Sequence, residues 1–102
     1  ATIGTGVATV TDGGTYIKAG IINYAFGVKT ASAINVNGTT MQFTISNYKP
    51  KTLVPLVGNS GASPATTVVG FINSNGQAYL NVVTGSLASG ATVYVSGTGI
   101  LA

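Results

Sequence analysis

The chain has 102 residues, only 5% of them charged, and its net charge of +3 comes from four lysines set against the single acid Asp12. This length suits one domain rather than two. Without histidine or cysteine, the chain has no imidazole or thiolate metal ligands, no disulfides and none of the usual catalytic pairs. The lysines are too dispersed for a nucleic-acid surface, which needs clustered basic residues. We therefore expect no enzymatic activity, no cofactor, no metal and no nucleic-acid partner.

The start of the chain carries no charged stretch followed by an apolar one, so no signal peptide is predicted. No apolar run approaches the roughly 20 residues of a membrane-spanning helix, and we expect no insertion into a membrane. Because the chain opens at Ala1 without an initiator methionine, we expect it to be the C-terminal fragment of a longer protein.

The predicted elements are all β-strands. Short stretches rich in Val, Ile, Thr, Tyr and Phe alternate with glycines and polar residues, which favours pleated strands over helices. Strands are predicted at residues 2–10, 15–24, 33–37, 39–46, 53–57, 66–73, 77–84 and 91–101. Many short strands at this spacing predict a single all-β domain, a small antiparallel β-barrel or sandwich that spans residues 1–102.

Three dipeptides predict two-residue hairpins: Asp12-Gly13, Asn37-Gly38 and Asn75-Gly76. Asn and Asp tolerate a positive φ, and Gly adopts one freely. The middle segment, residues 47–65, contains Pro50, Pro55 and Pro64 and is therefore predicted to be a long connection with one short edge strand at 53–57. Long loops often carry function.

Alternation with a period of two residues predicts which side chains form the core. The residues expected to face inward are Met41, Phe43, Ile45, Ala78, Leu80, Val82, Val93 and Val95. Tyr79 and Tyr94 are expected to face outward. A surface of hydroxyls, amides and tyrosines suits saccharides, whose apolar faces stack on aromatic rings. Outward tyrosines are equally suited to a subunit interface.

From Asn47 onward, the sequence resembles the C-terminal head of receptor-binding proteins from siphophages, particularly those that infect lactococci. The matching features are the Tyr48-Lys49-Pro50-Lys51 turn before a strand ending near Pro55, the strand 68–72, the Asn75-Gly76 hairpin and the closing strand 93–98. These features cover about half of the chain.

The resemblance implies a compact β-barrel head that forms a homotrimer at the phage tail tip or baseplate. Such a head lies on the virion, outside the cell, and binds saccharides of the host cell wall without catalysis. It also implies that the rest of the protein contacts other tail or baseplate proteins. The family's saccharide sites combine Trp, His, Arg and acidic residues, whereas this chain has only Asp12 among them.

The candidate saccharide contacts are polar or aromatic residues near predicted turns or at outward strand positions. They are Asp12, Asn47, Tyr48, Asn59, Asn73 and Tyr79. Two other functions are compatible with the same strands. One is a structural capsid-decoration or fibre module, whose surfaces only join subunits. The other is a bacterial adhesin or pilus-type module, in which a neighbour completes an edge strand.

Overall fold

The alternating stretches form antiparallel strands in a computed structural model that describes residues 1–61 and 66–102. Within these ranges there are eleven strands and no helix. The strands are β1 (Thr2–Ile3), β2 (Val7–Thr11), β3 (Tyr16–Lys18), β4 (Ile21–Thr30), β5 (Ile34–Asn35), β6 (Met41–Thr44), β7 (Val54–Asn59), β8 (Thr67–Ile72), β9 (Gln77–Thr84), β10 (Ser86–Leu87) and β11 (Thr92–Ile100). The predicted all-β class is confirmed.

Nine of the strands form one sheet that curls into a nearly closed barrel. Its order is β1-β6-β9-β8-β7-β11-β4-β2, and β3 pairs with the same edge of β4 as β2. The segment between β1 and β2 brings the two ends of this sheet together. Gly4 donates its N–H to the carbonyl of Gln42 at one end, and Gly6 accepts from Ala31 at the other. The two remaining strands, β5 and β10, form a separate pair.

The core lies inside the barrel, where the inward positions expected from the alternation are all buried. Phe26 stacks on Tyr24 with ring centroids 5.5 Å apart and meets the edge of Phe43 at 5.1 Å. The small β5–β10 sheet adds Ile34 and Leu87 to the same core. Burying each large apolar side chain contributes about 1.5–3 kcal/mol, so this continuous core can hold the barrel together without disulfides.

The predicted Asn75-Gly76 hairpin is confirmed, with a loop one residue longer than expected. It joins β8 to β9, and Gly76 donates to the carbonyl of Asn73 while adopting a φ of 85°. Asn73 in turn donates to the carbonyl of Gln77. A turn followed by a glycine in the left-handed region is the usual form of a three-residue hairpin.

The hairpins predicted at the other two dipeptides are wrong. Asp12-Gly13 separates β2 from β3, but both strands pair with β4, so the chain continues along one edge through an irregular segment. Asn37-Gly38 leads from β5 to β6, which belong to different sheets. The hairpin that contains β3 is instead formed by Ala19-Gly20, which joins β3 to β4 and has φ angles of 55° and 77°.

Several predicted strand limits differ from those in the structure. The strand at 2–10 divides into β1 and β2, the one at 15–24 crosses the Ala19-Gly20 turn, and β10 was not expected. The predicted edge strand at 53–57 is wrong because β7 lies between β8 and β11. Pro55 lies opposite Phe71 of β8, but it is outside Val57–Asn59, the part of β7 that pairs with β11. Proline is tolerated there because its missing N–H breaks no hydrogen bond between β7 and β11. The predicted loop residue Pro64 lies outside the described residues.

Tyr24 carries a buried hydroxyl that joins the core to a surface loop. It donates a hydrogen bond to the carbonyl oxygen of Tyr48, and desolvation by burial raises the pKa of Tyr24 to about 12. An unfolded tyrosine ionises near pH 10, so the unfolded chain loses this proton first as the pH rises. The stability that depends on the protonated hydroxyl is therefore complete below about pH 10 and is lost as the pH approaches about 12.

We expect Tyr24→Phe to lower the free energy of unfolding by about 1 kcal/mol at neutral pH, because the Tyr48 carbonyl loses its donor. The difference from the wild type should narrow above about pH 10 and change sign by about pH 12, since phenylalanine cannot ionise and the loss of the raised pKa outweighs one hydrogen bond. Urea denaturation of both proteins across this range measures the effect. A difference that is constant with pH would contradict the assigned titration.

Candidate functional site

A cleft of about 370 Å³ opens on the surface of the barrel, between the irregular segment after β2 and strands β4 and β11. Its lining is mainly apolar and small, with three hydroxyl groups and one exposed aromatic ring. The lining residues are Thr11, Gly13, Gly14, Ala25, Phe26, Gly27, Tyr94, Val95 and Ser96. Concave surfaces with a few convergent polar groups are the usual location of ligand sites.

Two glycines allow the segments that line this cleft to pack closely together. A Cβ atom on Gly27 would lie 2.7 Å from the hydroxyl oxygen of Thr11, and one on Gly14 would lie 2.9 Å from the Cβ of Ala25. Both distances are too short for real carbon contacts, so a larger residue at either position would shift its neighbours. These glycines therefore form a closely packed floor, called here the glycine floor, in which the Thr11 hydroxyl lies over Gly27.

The irregular segment that borders the cleft is anchored by Thr15. Its hydroxyl accepts a hydrogen bond from the N–H of Ala25 at 3.0 Å and donates one to the carbonyl of the same residue at 3.3 Å. The segment also contains a turn in which Thr15 donates its N–H to the carbonyl of Asp12. The side chain thus replaces the ladder bonds that β4 would otherwise exchange with a regular strand.

We expect Thr15→Val to lower the free energy of unfolding by about 1–2 kcal/mol, because it removes both bonds and leaves two backbone groups of Ala25 without this partner. The substitution preserves side-chain shape, and Thr11→Val is the matched control, since the Thr11 hydroxyl makes a single long bond of 3.4 Å to Gly27. Urea midpoints measure both variants. Equal losses of stability in the two variants would show that the Thr15 hydrogen bonds contribute no more than the single Thr11 bond.

Tyr94 forms one wall of the cleft and is 65% exposed. It pairs with Gly27 on β4 and with Asn59 on β7. Its ring leans towards the glycine floor, because a Cβ on Gly27 would lie 3.9 Å from the Cε1 of Tyr94. The edge of the ring thus covers part of Gly27, while the rest of the ring stays exposed to a ligand.

Two of the six predicted contacts border the cleft but are not among its lining residues. Asp12 stands in the irregular segment between the lining residues Thr11 and Gly13. Asn59 is directly opposite Tyr94, although its side-chain oxygen accepts a hydrogen bond from the N–H of Gly61 at 2.9 Å. Both side chains are exposed, so both remain available at the border of the cleft.

Three others lie in loops that the structure brings together elsewhere. The Asn75-Gly76 turn meets the segment of Asn47 and Tyr48, since Gly76 accepts a hydrogen bond from Ile45. The ring of Tyr48 is 48% exposed. Asn73 has a structural role as well, because its side-chain oxygen accepts hydrogen bonds from the N–H groups of Asn75 and Gln77.

Tyr79 is half-buried on the outer face of β9 and packs against Phe71, with ring centroids 5.2 Å apart. The six residues therefore do not form one site, and their binding of saccharide stays a prediction. Tyr94 was recognised in the sequence only as an outward tyrosine. The consecutive glycines Gly13 and Gly14, which line the cleft, were the other feature of the sequence that could have indicated it.

Within residues 1–61 and 66–102, no helix is long and apolar enough to cross a membrane. No protein-family model matches the chain, and no curated protein sequence matches it.

Proposed function

We propose that this chain is a non-catalytic saccharide-binding head of a phage tail or baseplate receptor-binding protein, and that the Tyr94 cleft binds saccharide of the host cell wall. The observation that carries the proposal is the exposed ring of Tyr94 beside the glycine floor at Gly27. Sugar rings present apolar C–H faces that pack on aromatic rings and hydroxyls that hydrogen-bond to short polar groups.

The polar groups around the ring suit a neutral sugar. Thr11 and Ser96 offer hydroxyls that both donate and accept, and Asp12 at the border is the chain's only acidic side chain. Lys29 lies two residues along β4 from Gly27 on the same outward face. With one charge of each sign near the cleft, the polar hydroxyls and the tyrosine provide the main recognition.

The phage assignment, the homotrimer and the location on the virion rest on the sequence resemblance. The outer face of the barrel supports assembly, because Val57, Val69 and Phe71 are exposed on adjacent strands without any charged residue among them. A trimer would carry three clefts, so weak single-site binding would be amplified by avidity, by about 10²-fold or more.

The experiment is an adsorption assay with the fluorescently labelled chain and Gram-positive host cells, beginning with lactococcal strains. We expect binding that is displaced by purified cell-wall polysaccharide from the same strain. Sedimentation on the same sample measures the oligomeric state. A folded sample that binds no strain would reject the proposal and favour the structural capsid-decoration or fibre module.

A further inference from the structure

Two lysines and two isoleucines form a row on the barrel where β4 begins and β11 ends. Lys18 of β3 lies opposite Ile21 of β4, and Ile21 lies opposite Ile100 of β11. On the other side of β11, Lys51 donates its N–H to the carbonyl of Ile100. These residues thus lie on neighbouring segments, and the row from Lys18 to Lys51 is about 14 Å long at the usual spacing between strands.

The side chains of this row point to solvent. Ile22 is fully buried, so its neighbour Ile21 is on the outer face of β4, and the residues opposite Ile21 share that face. Ile21 and Ile100 are 44% and 61% exposed, and both lysines are exposed. Tyr16, two residues before Lys18 on β3, adds a ring that is 57% exposed. The β3–β11 patch, as it is called here, consists of Tyr16, Lys18, Ile21, Ile100 and Lys51.

The end of the barrel that carries the patch is cationic. Lys49 lies there too, because the N–H of Ala102 donates to its carbonyl, and the Lys49 side chain reaches Gly76, where a Cβ would lie 3.4 Å from its Cε. Three of the four lysines are thus at this end. Asp12, the chain's only acidic side chain, precedes β3 and borders the cleft described above. The patch therefore complements a negatively charged surface.

We propose that the β3–β11 patch docks the protein on the surface of an anionic lipid bilayer. The two lysines contact the anionic headgroups, and the two isoleucines reach the boundary between headgroups and acyl chains. The ring of Tyr16 lies at the level of the headgroups, where amphipathic aromatic side chains are favoured. The chain lies on the bilayer, and no segment of it spans the membrane.

The central isoleucines favour a bilayer over other anionic partners. A soluble anionic polymer contacts the lysines but leaves Ile21 and Ile100 in water, so it gains only the screened attraction of exposed charges. A second copy docked by the same patch brings like charges together. A bilayer matches both parts of the patch, because it offers negative charge beside an apolar layer. Gly27 lies six residues from Ile21 along β4, about 20 Å away, so this inference is independent of the saccharide proposal.

The first experiment is sedimentation of the purified chain with vesicles of phosphatidylcholine that contain about 30% phosphatidylglycerol. We expect binding at low salt and no binding to vesicles of phosphatidylcholine alone. The protein should be released at about 0.5 M salt, because salt screens the exposed charges of the patch. Equal binding to both kinds of vesicle, or binding to neither, would overturn the inference.

Ile100→Trp tests whether this side chain reaches the apolar layer, because the chain has no other tryptophan. We expect its fluorescence emission to shift to the blue on the anionic vesicles and to stay unchanged with polyglutamate, a soluble anionic polymer. An unchanged emission on vesicles that bind the protein would show that only the charges make contact, and it would reject docking through the isoleucines.

Lys18→Gln and Ile100→Thr test whether the patch is the site of contact. Lys18→Gln is expected to weaken vesicle binding about fivefold, the effect of one lysine near an anionic surface, and Ile100→Thr should weaken it by at least as much. Lys29→Gln and Val57→Thr are the matched controls, because Lys29 is exposed near the opposite end of β4 and Val57 is 57% exposed on β7. Losses in the controls equal to those in the patch variants would place the contact elsewhere on the barrel and overturn the inference.

Discussion

Tyr94→Ala is expected to reduce the affinity of a single cleft for cell-wall saccharide by about tenfold, equivalent to about 1.4 kcal/mol. The substitution removes the only aromatic ring that stands exposed at the cleft and leaves its glycine floor intact. Because Tyr94 is 65% exposed, the barrel should fold normally without it. Tyr94→Phe keeps the ring and should retain affinity within about threefold, since only one hydroxyl hydrogen bond is at stake.

The matched control is Tyr16→Ala, because Tyr16 is 57% exposed and belongs to β3, outside the cleft lining. Adsorption of the labelled variants to host cells, with displacement by cell-wall polysaccharide, measures the effect. In an oligomer with several clefts, the loss on whole cells should exceed the loss at one site. Equal adsorption of the two alanine variants would remove Tyr94 from the proposed site.

Gly70→Ala is expected to lower the free energy of unfolding by about 3 kcal/mol or more, in the upper range for single substitutions. Gly70 lies in β8 opposite Leu80 of β9. A Cβ there would overlap the carbonyl oxygen of Tyr79 and would lie 3.0 Å from the Cα of Leu80. These atoms are backbone, so they can move only by disturbing the β8–β9 ladder.

Gly13→Ala provides the control, because a Cβ at Gly13 meets no other heavy atom within 4 Å. We expect its stability to stay within about 0.5 kcal/mol of the wild type. Urea denaturation gives both values, and an unchanged slope would show that the denatured state is unaffected. A Gly70→Ala midpoint equal to that of the control would show that the strands can separate at low cost.

The faces of the strands were predictable from the sequence because the side-chain period of two admits only two assignments. Residues 77–84 are both the predicted strand and β9, and Phe43, Leu80 and Val95 are buried as expected. Which strands pair with each other was less predictable from the sequence. The Asp12-Gly13 dipeptide has hairpin chemistry, but whether its flanking strands pair with each other depends on β4, which offers both of them one continuous edge.

The Ala19-Gly20 hairpin and the cleft escaped prediction for two different reasons. Alanine rarely adopts a positive φ, so Ala19 carries no local turn signal. The cleft needs Tyr94 beside Gly27, and these residues are far apart in the chain. Only the register between β4 and β11 places the ring of Tyr94 beside Gly27, which has no side chain. The pairing of distant strands thus determines the site, while the local pattern determines the core.

The position of β11 also has a consequence for how the chain reaches its folded state. This last strand of the chain lies between β7 and β4, where Thr92 pairs with Lys29 and Tyr94 with Asn59. Proteins dominated by such distant pairings fold in about milliseconds to seconds. During synthesis, β4 and β7 have no partner on these edges until β11 has left the ribosome. Barrel assembly therefore waits for β11, and the preceding interval is when the nascent chain is most exposed to aggregation.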